Sequence, residues 1–422
     1  MKKRYIFDKL YNVGEEKVKY LILGAGAAGL AFACQLKRNG EDDFLVLERE
    51  KNAGGLCRSV EVDGSPFDIG GGHFLDVRRP KVNDFLFSYM PKDEWNLFKR
   101  DSRIELGEYT ISHPFEANIW QLPLERQVEY LESIAKAGCN NESPMPERFI
   151  EWIRWKLGKK IATDYMLPYN RKMFADELND LGTYWLEKLP NVSFADTLLS
   201  CLSHKPYGTQ PGHAEFYYPK HYGYGEVWDR MAETLGEKIV YEQEVYGIDF
   251  DTKEVITADG SKYHATHIIT TIPWRTFLDI KGMPQDILDL LGELKSGSIE
   301  TRYCKDNLNT EAQWLYFPDE KLPYHRILAR HNFCAGSRGY WMETRGERVP
   351  MFKEDSEYSY MNQYAYPLNT LSKPMVMSRL LSFAKAKNVY GLGRWGEHCH
   401  YNSDLTVELA MNLADSFLND AR

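Results

Sequence analysis

Gly24-Ala25-Gly26-Ala27-Ala28-Gly29 has the spacing that lets backbone wrap a pyrophosphate. Gly24 permits the tight turn, Gly26 lets the chain approach phosphate with no Cβ in the way, and Gly29 allows a helix to pack closely on a strand, with Ala28 a small neighbour. Glu48 follows about 20 residues on, where a carboxylate accepts hydrogen bonds from a ribose 2′-hydroxyl and repels a 2′-phosphate. The unit therefore suits the ADP half of FAD or NAD. Ala53-Gly54-Gly55-Leu56-Cys57-Arg58 gives a second close backbone approach, and the Arg58 guanidinium suits phosphate. Gly70-Gly71-Gly72-His73 reads either as backbone lying flat against a planar ligand or as a turn.

These residues need a strand–helix–strand unit to hold them. Tyr20-Leu21-Ile22-Leu23 and Phe44-Leu45-Val46-Leu47 read as buried parallel strands, and the small-residue run from Leu30 to Leu36 as the helix between them. Residues 125–137, 146–157, 159–167 and 176–186 carry apolar residues at helical spacing, with a break expected at Leu167-Pro168-Tyr169-Asn170. Residues 115–205 thus read as a helical insertion or lid. Short alternating stretches follow a helix at 227–235, the Asp259-Gly260 pair reads as a hairpin turn, and 267–273 returns as a buried strand. A strand at 389–392 runs into Gly393-Arg394-Trp395-Gly396, and a last helix at 404–418 takes Asn402 or Ser403 as N-cap. The expected class is α/β: a discontinuous Rossmann-type FAD-binding domain (18–92, 206–274, 384–422), a helical domain (115–205) and an antiparallel or mixed β-sheet domain (93–114, 275–383).

A chain of 422 residues can bury a large core. Its net charge of −9 argues against a general nucleic-acid binder. No apolar run is long enough to span a membrane, no signal-peptide pattern precedes the first strand, and no metal-ligand spacing occurs. Seven scattered cysteines without a C-x-x-C pair fit reduced thiols and a cytoplasmic setting.

With these segments in order, the chain resembles flavoproteins of the amine-oxidase-like superfamily and, more narrowly, the UDP-galactopyranose mutases, above all their eukaryotic branch. The narrower likeness rests on His113-Pro114-Phe115-Glu116-Ala117-Asn118, on the segment from Leu167 to Phe174, on Trp314-Leu315-Tyr316-Phe317-Pro318 with Pro323-Tyr324-His325-Arg326, and on Tyr366-Pro367 and Gly393-Arg394-Trp395-Gly396. The resemblance implies bound FAD, active when reduced, with NADPH or NADH as possible electron donor. It implies a nucleoside-diphosphate sugar as substrate, whose pyranose and furanose forms interconvert through a flavin N5–sugar adduct. Arg326 and Arg394 would meet the diphosphate, Tyr316 and Tyr366 would donate hydroxyl hydrogen bonds, and His73 would sit near flavin N5. Gly72, Val245, Gly393, Arg394 and Asn402 would complete the cofactor site with the glycine-rich turns, Glu48, Leu56 and Arg58. His113, Phe115, Asn170, Phe174 and Trp314 would line the nucleotide and sugar.

The sequence departs from that family in three places. Where a second diphosphate arginine is expected, Leu186 or Lys188 stands, and Lys188 offers charge without a bidentate fork. His400 stands in place of a final active-site tyrosine, with Tyr401 one residue off. His113 replaces a phenol. These changes point to a nucleotide sugar other than UDP-galactopyranose, in polysaccharide or natural-product assembly. A redox amine-oxidase-type enzyme and a non-catalytic flavin scaffold are the competing readings.

Overall fold

The computed structural model describes residues 16–186, 189, 191–208 and 214–420. The chain falls into two compact units, one made of residues up to Gly55, Val227–Leu294 and Pro374 onward, the other of Leu56–Glu226 and Lys295–Lys373.

The first unit is built on a parallel sheet. Strand Glu16–Leu23 lies between Phe44–Leu47 and Lys262–Thr270, with Leu23 opposite both Leu47 and Thr270. Ile239–Val240 extends one side and Val389–Gly391 the other. Phe44–Leu47 is buried at every position, as a parallel strand covered on both faces should be. An antiparallel meander, Val245–Asp249 and Glu254–Thr257, joins the early half of Lys262–Thr270. Its turn is the expected Asp259-Gly260 pair, where the Gly260 N–H donates to the Thr257 carbonyl at 2.9 Å. Helix Ala27–Arg38 follows the glycine-rich turn. The last helix, Ser403–Asp420, brings Phe417 onto Tyr20 and Phe32. The Asn402 carbonyl accepts its first helical bond from Thr406 at 3.0 Å, so Asn402 occupies the capping position.

The second unit carries a seven-stranded sheet in the order Ser359–Pro367, Ser296–Cys304, Tyr340–Arg345, Arg326–Leu328, Trp314–Tyr316, Ser102–Leu106, Tyr109–Ser112. All neighbours are antiparallel except Trp314–Tyr316 against Ser102–Leu106. Its α-helices among the described residues are Pro80–Phe87, Leu124–Ala135, Phe149–Ile161, Leu167–Phe174 and Phe194–Ser203.

Two expectations fail here. The helical run does not break at Pro168. That proline lies in the first turn of Leu167–Phe174, where its missing N–H costs little, and a π-helical stretch, Ala162–Met166, leads into it. The real interruption is Gly158, at φ 73°, where the Ser133 carbonyl leaves no room for a Cβ. Residues 176–186 do not form a helix either. After a 3₁₀ stretch, Ala175–Asp180, the backbone turns outward for partners: the Leu181 carbonyl accepts from the Phe149 N–H at 2.8 Å, and the Gly182 N–H donates to Asn369 at 2.8 Å. Leu178 and Leu181 still reach the same apolar cluster as Phe149, Trp152 and Ile153, which explains their misleading periodicity. Among the described residues no helix is long and apolar enough to cross a membrane.

Candidate functional site

The first unit holds both glycine-rich turns and Glu48. Gly24 sits at φ 100°, and a Cβ on Gly29 would run into the Gly24 carbonyl, so turn and helix close on each other only without side chains. Gly26 pairs with Gly54, whose N–H donates to the Ala25 carbonyl at 2.8 Å. The two glycine turns therefore lie side by side. Helix Ala27–Arg38 has no side-chain cap and no acidic residue in its first turn, which leaves its N-terminal N–H groups for an anion. The buried Glu48 carboxylate accepts from the N–H of Ala25 at 2.8 Å and of Glu50 at 3.0 Å, fixing it at the strand end beside the loop. A carboxylate oxygen can accept more than one hydrogen bond, which suits ribose hydroxyls. A backbone cradle free of Cβ atoms, an uncapped helix end and a fixed carboxylate fit the ADP portion of FAD.

The C-terminal turn belongs to the same unit. Gly393, at φ 74°, approaches the helix so closely that a Cβ would lie 2.6 Å from that of Ala28. Its N–H donates to Glu397 at 3.0 Å, and burial pushes the Glu397 carboxyl up to about 7 despite that bond. Arg394 donates from Nε and Nη2 to the Tyr401 carbonyl at 3.1 and 2.8 Å. Trp274 Nε1 donates to the Gly396 carbonyl at 2.8 Å and anchors the turn from the core side. His400 is half-buried two residues before Asn402. Val245 begins the meander with its side chain in the sheet core, so any cofactor contact from it is through backbone.

In the second unit, Tyr316, Arg326 and Glu343 are cross-strand neighbours on three adjacent strands. Arg326 donates from Nε to Glu343 Oε2 at 3.0 Å, and its Nη2 also donates to that oxygen. Arg326 Nη2 lies 3.4 Å from the Tyr366 hydroxyl. The other Glu343 oxygen accepts from the Gly72 N–H at 3.1 Å. Burial would lower the Arg326 pKa, but the Glu343 carboxylate and the surrounding tyrosines outweigh it and hold it well above its usual value. On the far side of Tyr316, Arg100 donates to the Tyr316 hydroxyl at 2.7 Å and to Ser102 Oγ at 2.7 Å, with its guanidinium 4.4 Å from the Trp314 ring. His113 stands 5.4 Å from Tyr316, and desolvation followed by the Arg100 charge lowers its pKa to about 3, which keeps it neutral.

The remaining expected residues divide. His73 stacks parallel on Tyr224, and Arg58 donates to the Tyr360 hydroxyl at 2.9 Å. Leu56 passes its carbonyl beside Gly70, in the segment that leads to Gly72. Phe115 is packed between Tyr130 and Tyr165, and Trp314 against Phe74 and Phe216. Both rings are buried. Asn170 turns its amide back to the Met166 carbonyl at 2.7 Å, and Phe174 joins the helical core. Lys188 lies outside the described residues.

Three residues near this row have no role assigned from the sequence: Glu343, Arg100 and His325, the last quoted only as a neighbour of Arg326. Glu343 is a lone carboxylate in the wholly buried stretch 341–345, a visible signal. Arg100 sits in Lys99-Arg100-Asp101, which reads as a solvated turn. His325 is fully buried, its ring nitrogens have no hydrogen-bond partner among the described residues, and Nε2 is 3.8 Å from Glu343. Burial, then Arg326, pushes its pKa well down.

Residues 27–301 match the family of flavin-containing amine oxidoreductases, and the chain belongs to it. It is accordingly an FAD-dependent enzyme of the amine-oxidase superfamily. Its fold is similar to that of a reduced UDP-galactopyranose mutase, at a TM-score of 0.86 and 22% identity over 95% of this chain and 96% of that one. It also resembles cyclohexylamine oxidase from Brevibacterium oxydans IH-35A, at a TM-score of 0.65 and 15% identity over 96% and 99%. Among curated relatives, an uncharacterized protein in the nifH2 3′ region of Methanothermococcus thermolithotrophicus is 47% identical over 53 residues, 13% of this chain and 50% of that protein. The chain spans half or less of the length of the first curated relatives it matches.

Proposed function

We propose that the protein is an FAD-dependent nucleotide-sugar mutase that interconverts the pyranose and furanose forms of a nucleoside-diphosphate sugar, in polysaccharide or natural-product assembly. The observation that carries this reading is the row of Tyr316, Arg326 and Tyr366, with Arg326 Nη2 3.4 Å from the Tyr366 hydroxyl. A diphosphate leaving an anomeric carbon gains charge, and hydroxyl and guanidinium donors already in position stabilise it. Bound reduced flavin would supply the nucleophile for the anomeric carbon, with NADPH or NADH as its proposed source of electrons. Tyr316 and Tyr366 orient the diphosphate through their hydroxyls, and Arg326 holds it against drift while the sugar ring opens and recloses. Arg394 and His400 serve the cofactor side of the reaction, and His73 orients the flavin ring.

The test is a panel of nucleoside-diphosphate sugars incubated with dithionite-reduced enzyme, with ring form read by NMR. Ring interconversion by reduced enzyme and none by oxidised enzyme is expected. Arg326→Ala should keep FAD and lose nucleotide-sugar affinity by about 10–100-fold, the worth of a charge-assisted hydrogen bond. Oxygen uptake with amines and no isomerisation would replace this reading with redox amine oxidation.

A further inference from the structure

We propose that Arg100 is the cation that supplies net positive charge to the diphosphate, in the role for which the sequence offers no second arginine near Lys188; this assignment rests on the mutase reading. Arg326 is an incomplete candidate by itself. Its guanidinium is bound through two nitrogens to the buried Glu343 carboxylate, so the pair presents a dipole rather than a charge. A nucleoside diphosphate brings about two negative charges, and a partly buried anion needs compensation close by.

Arg100 has that charge to give. Its side-chain partners among the described residues are Ser102 Oγ, the Tyr316 hydroxyl and the Trp314 ring, none of them acidic. The neighbouring Asp101 is engaged by Arg103 at 3.1 and 2.6 Å. Arg100 also holds the hydroxyl of Tyr316, the residue cross-strand from Arg326. A phenol that accepts from Arg100 keeps its own proton to donate to phosphate. Trp314, sandwiched among Phe74 and Phe216, gives the guanidinium a fixed face to rest on at 4.4 Å. Arg100 and Arg326 thus flank Tyr316, one uncompensated and one compensated. The planar fork of Arg100 matches phosphate oxygens, which a lysine cannot do.

The experiment uses the flavin-loaded protein. Binding of UDP, dTDP, ADP and GDP, and of the matching nucleosides, is measured by calorimetry for wild type, Arg100→Met and Arg100→Lys. Arg100→Met should keep flavin and nucleoside affinity while losing about 10–100-fold in diphosphate affinity, the range for a hydrogen bond to a charged group. Arg100→Lys should fall between. A merely structural role would weaken nucleoside and diphosphate together. Independently of ligand, the His113 imidazole should titrate higher in Arg100→Met, because one of the two causes that depress it is gone. If Arg100→Met unloads flavin, Arg100→Lys carries the comparison. Wild-type and Arg100→Met proteins that bind the same diphosphate equally overturn this assignment alone. A wild type that binds none of the four diphosphates overturns it together with the mutase reading.

Discussion

Replacing Glu343 by glutamine removes one charge and almost no volume, so its effect measures what the carboxylate does for Arg326. Glu343 is 1% exposed and Arg326 18%. One carboxylate oxygen takes Arg326 and the other the Gly72 N–H. Glutamine offers one acceptor oxygen and an NH₂, so either Arg326 or Gly72 loses its acceptor. An unsatisfied buried donor costs about 1–3 kcal/mol, and removing one partner of a buried ion pair costs about 3–5 kcal/mol in all. Arg326 keeps some contact with solvent, which places the loss near the lower end. At about 2–4 °C per kcal/mol for a domain of this class, the melting temperature should fall by on the order of 10 °C. Calorimetry of flavin-loaded Glu343→Gln tests this. Adding a nucleoside diphosphate should then raise the variant's melting temperature more than that of the wild type, because an anion replaces the missing charge and binding of the native state stabilises it. A variant that melts within about 2 °C of wild type, a small fraction of the shift expected from losing a buried pair, and gains no more from the ligand would refute the compensation of Arg326 by Glu343.

Gly393→Ala should lower the flavin content of the purified protein and its melting temperature. The added methyl meets Ala28 at a positive φ, and the strain is worth about 2–4 kcal/mol; the ratio of flavin to protein absorbance reads it. Burial pushes the Glu116 carboxyl from 4.5 up to about 7. The folded state therefore binds the proton more tightly than the unfolded chain, and the stability that gives is full below about pH 4.5 and lost as pH rises through about 7. Glu116→Gln should then raise the melting temperature at pH 8, by up to about 3 kcal/mol of stability, and leave it little changed at pH 4.

What the sequence disclosed and what it hid follow from how far apart the partners lie. The first strand–helix–strand unit was legible because its residues are local: the glycine turn, the apolar strand and Glu48 fall close together in sequence, and each spacing has its own physical reason. Residues 176–186 mimic a helix because Leu178 and Leu181 do reach a core, one from a 3₁₀ stretch and the other from the extended backbone after it, whose hydrogen bonds go to Phe149 and Asn369. Pro168 was misread because proline breaks a helix only away from the first turn. Arg326 was picked out by its segment, whereas Glu343 becomes its partner only once two strands pair. Arg100 is farther still, since Lys99-Arg100-Asp101 looks like any charged turn until the parallel pairing of Trp314–Tyr316 with Ser102–Leu106 brings it to Tyr316.

That pairing bears on the choice between an anionic and a cationic substrate. Counting guanidinium groups alone would make Arg326 the anchor of an anion. Counting Glu343 as well cancels it, and a buried carboxylate would then look like a site for an ammonium ion. Glu343 is no such site, because Arg326 and the Gly72 N–H already occupy both its oxygens, and a second cation would have to displace one of them from an interior where exposure is 1%. Arg100 tips the balance. At an effective dielectric near 20, a unit charge about 4 Å away is worth about 4 kcal/mol, attractive to phosphate and repulsive to ammonium. With Glu343 and Arg326 bound to each other, the sign of the charge beside Tyr316 is set by Arg100, and it is positive.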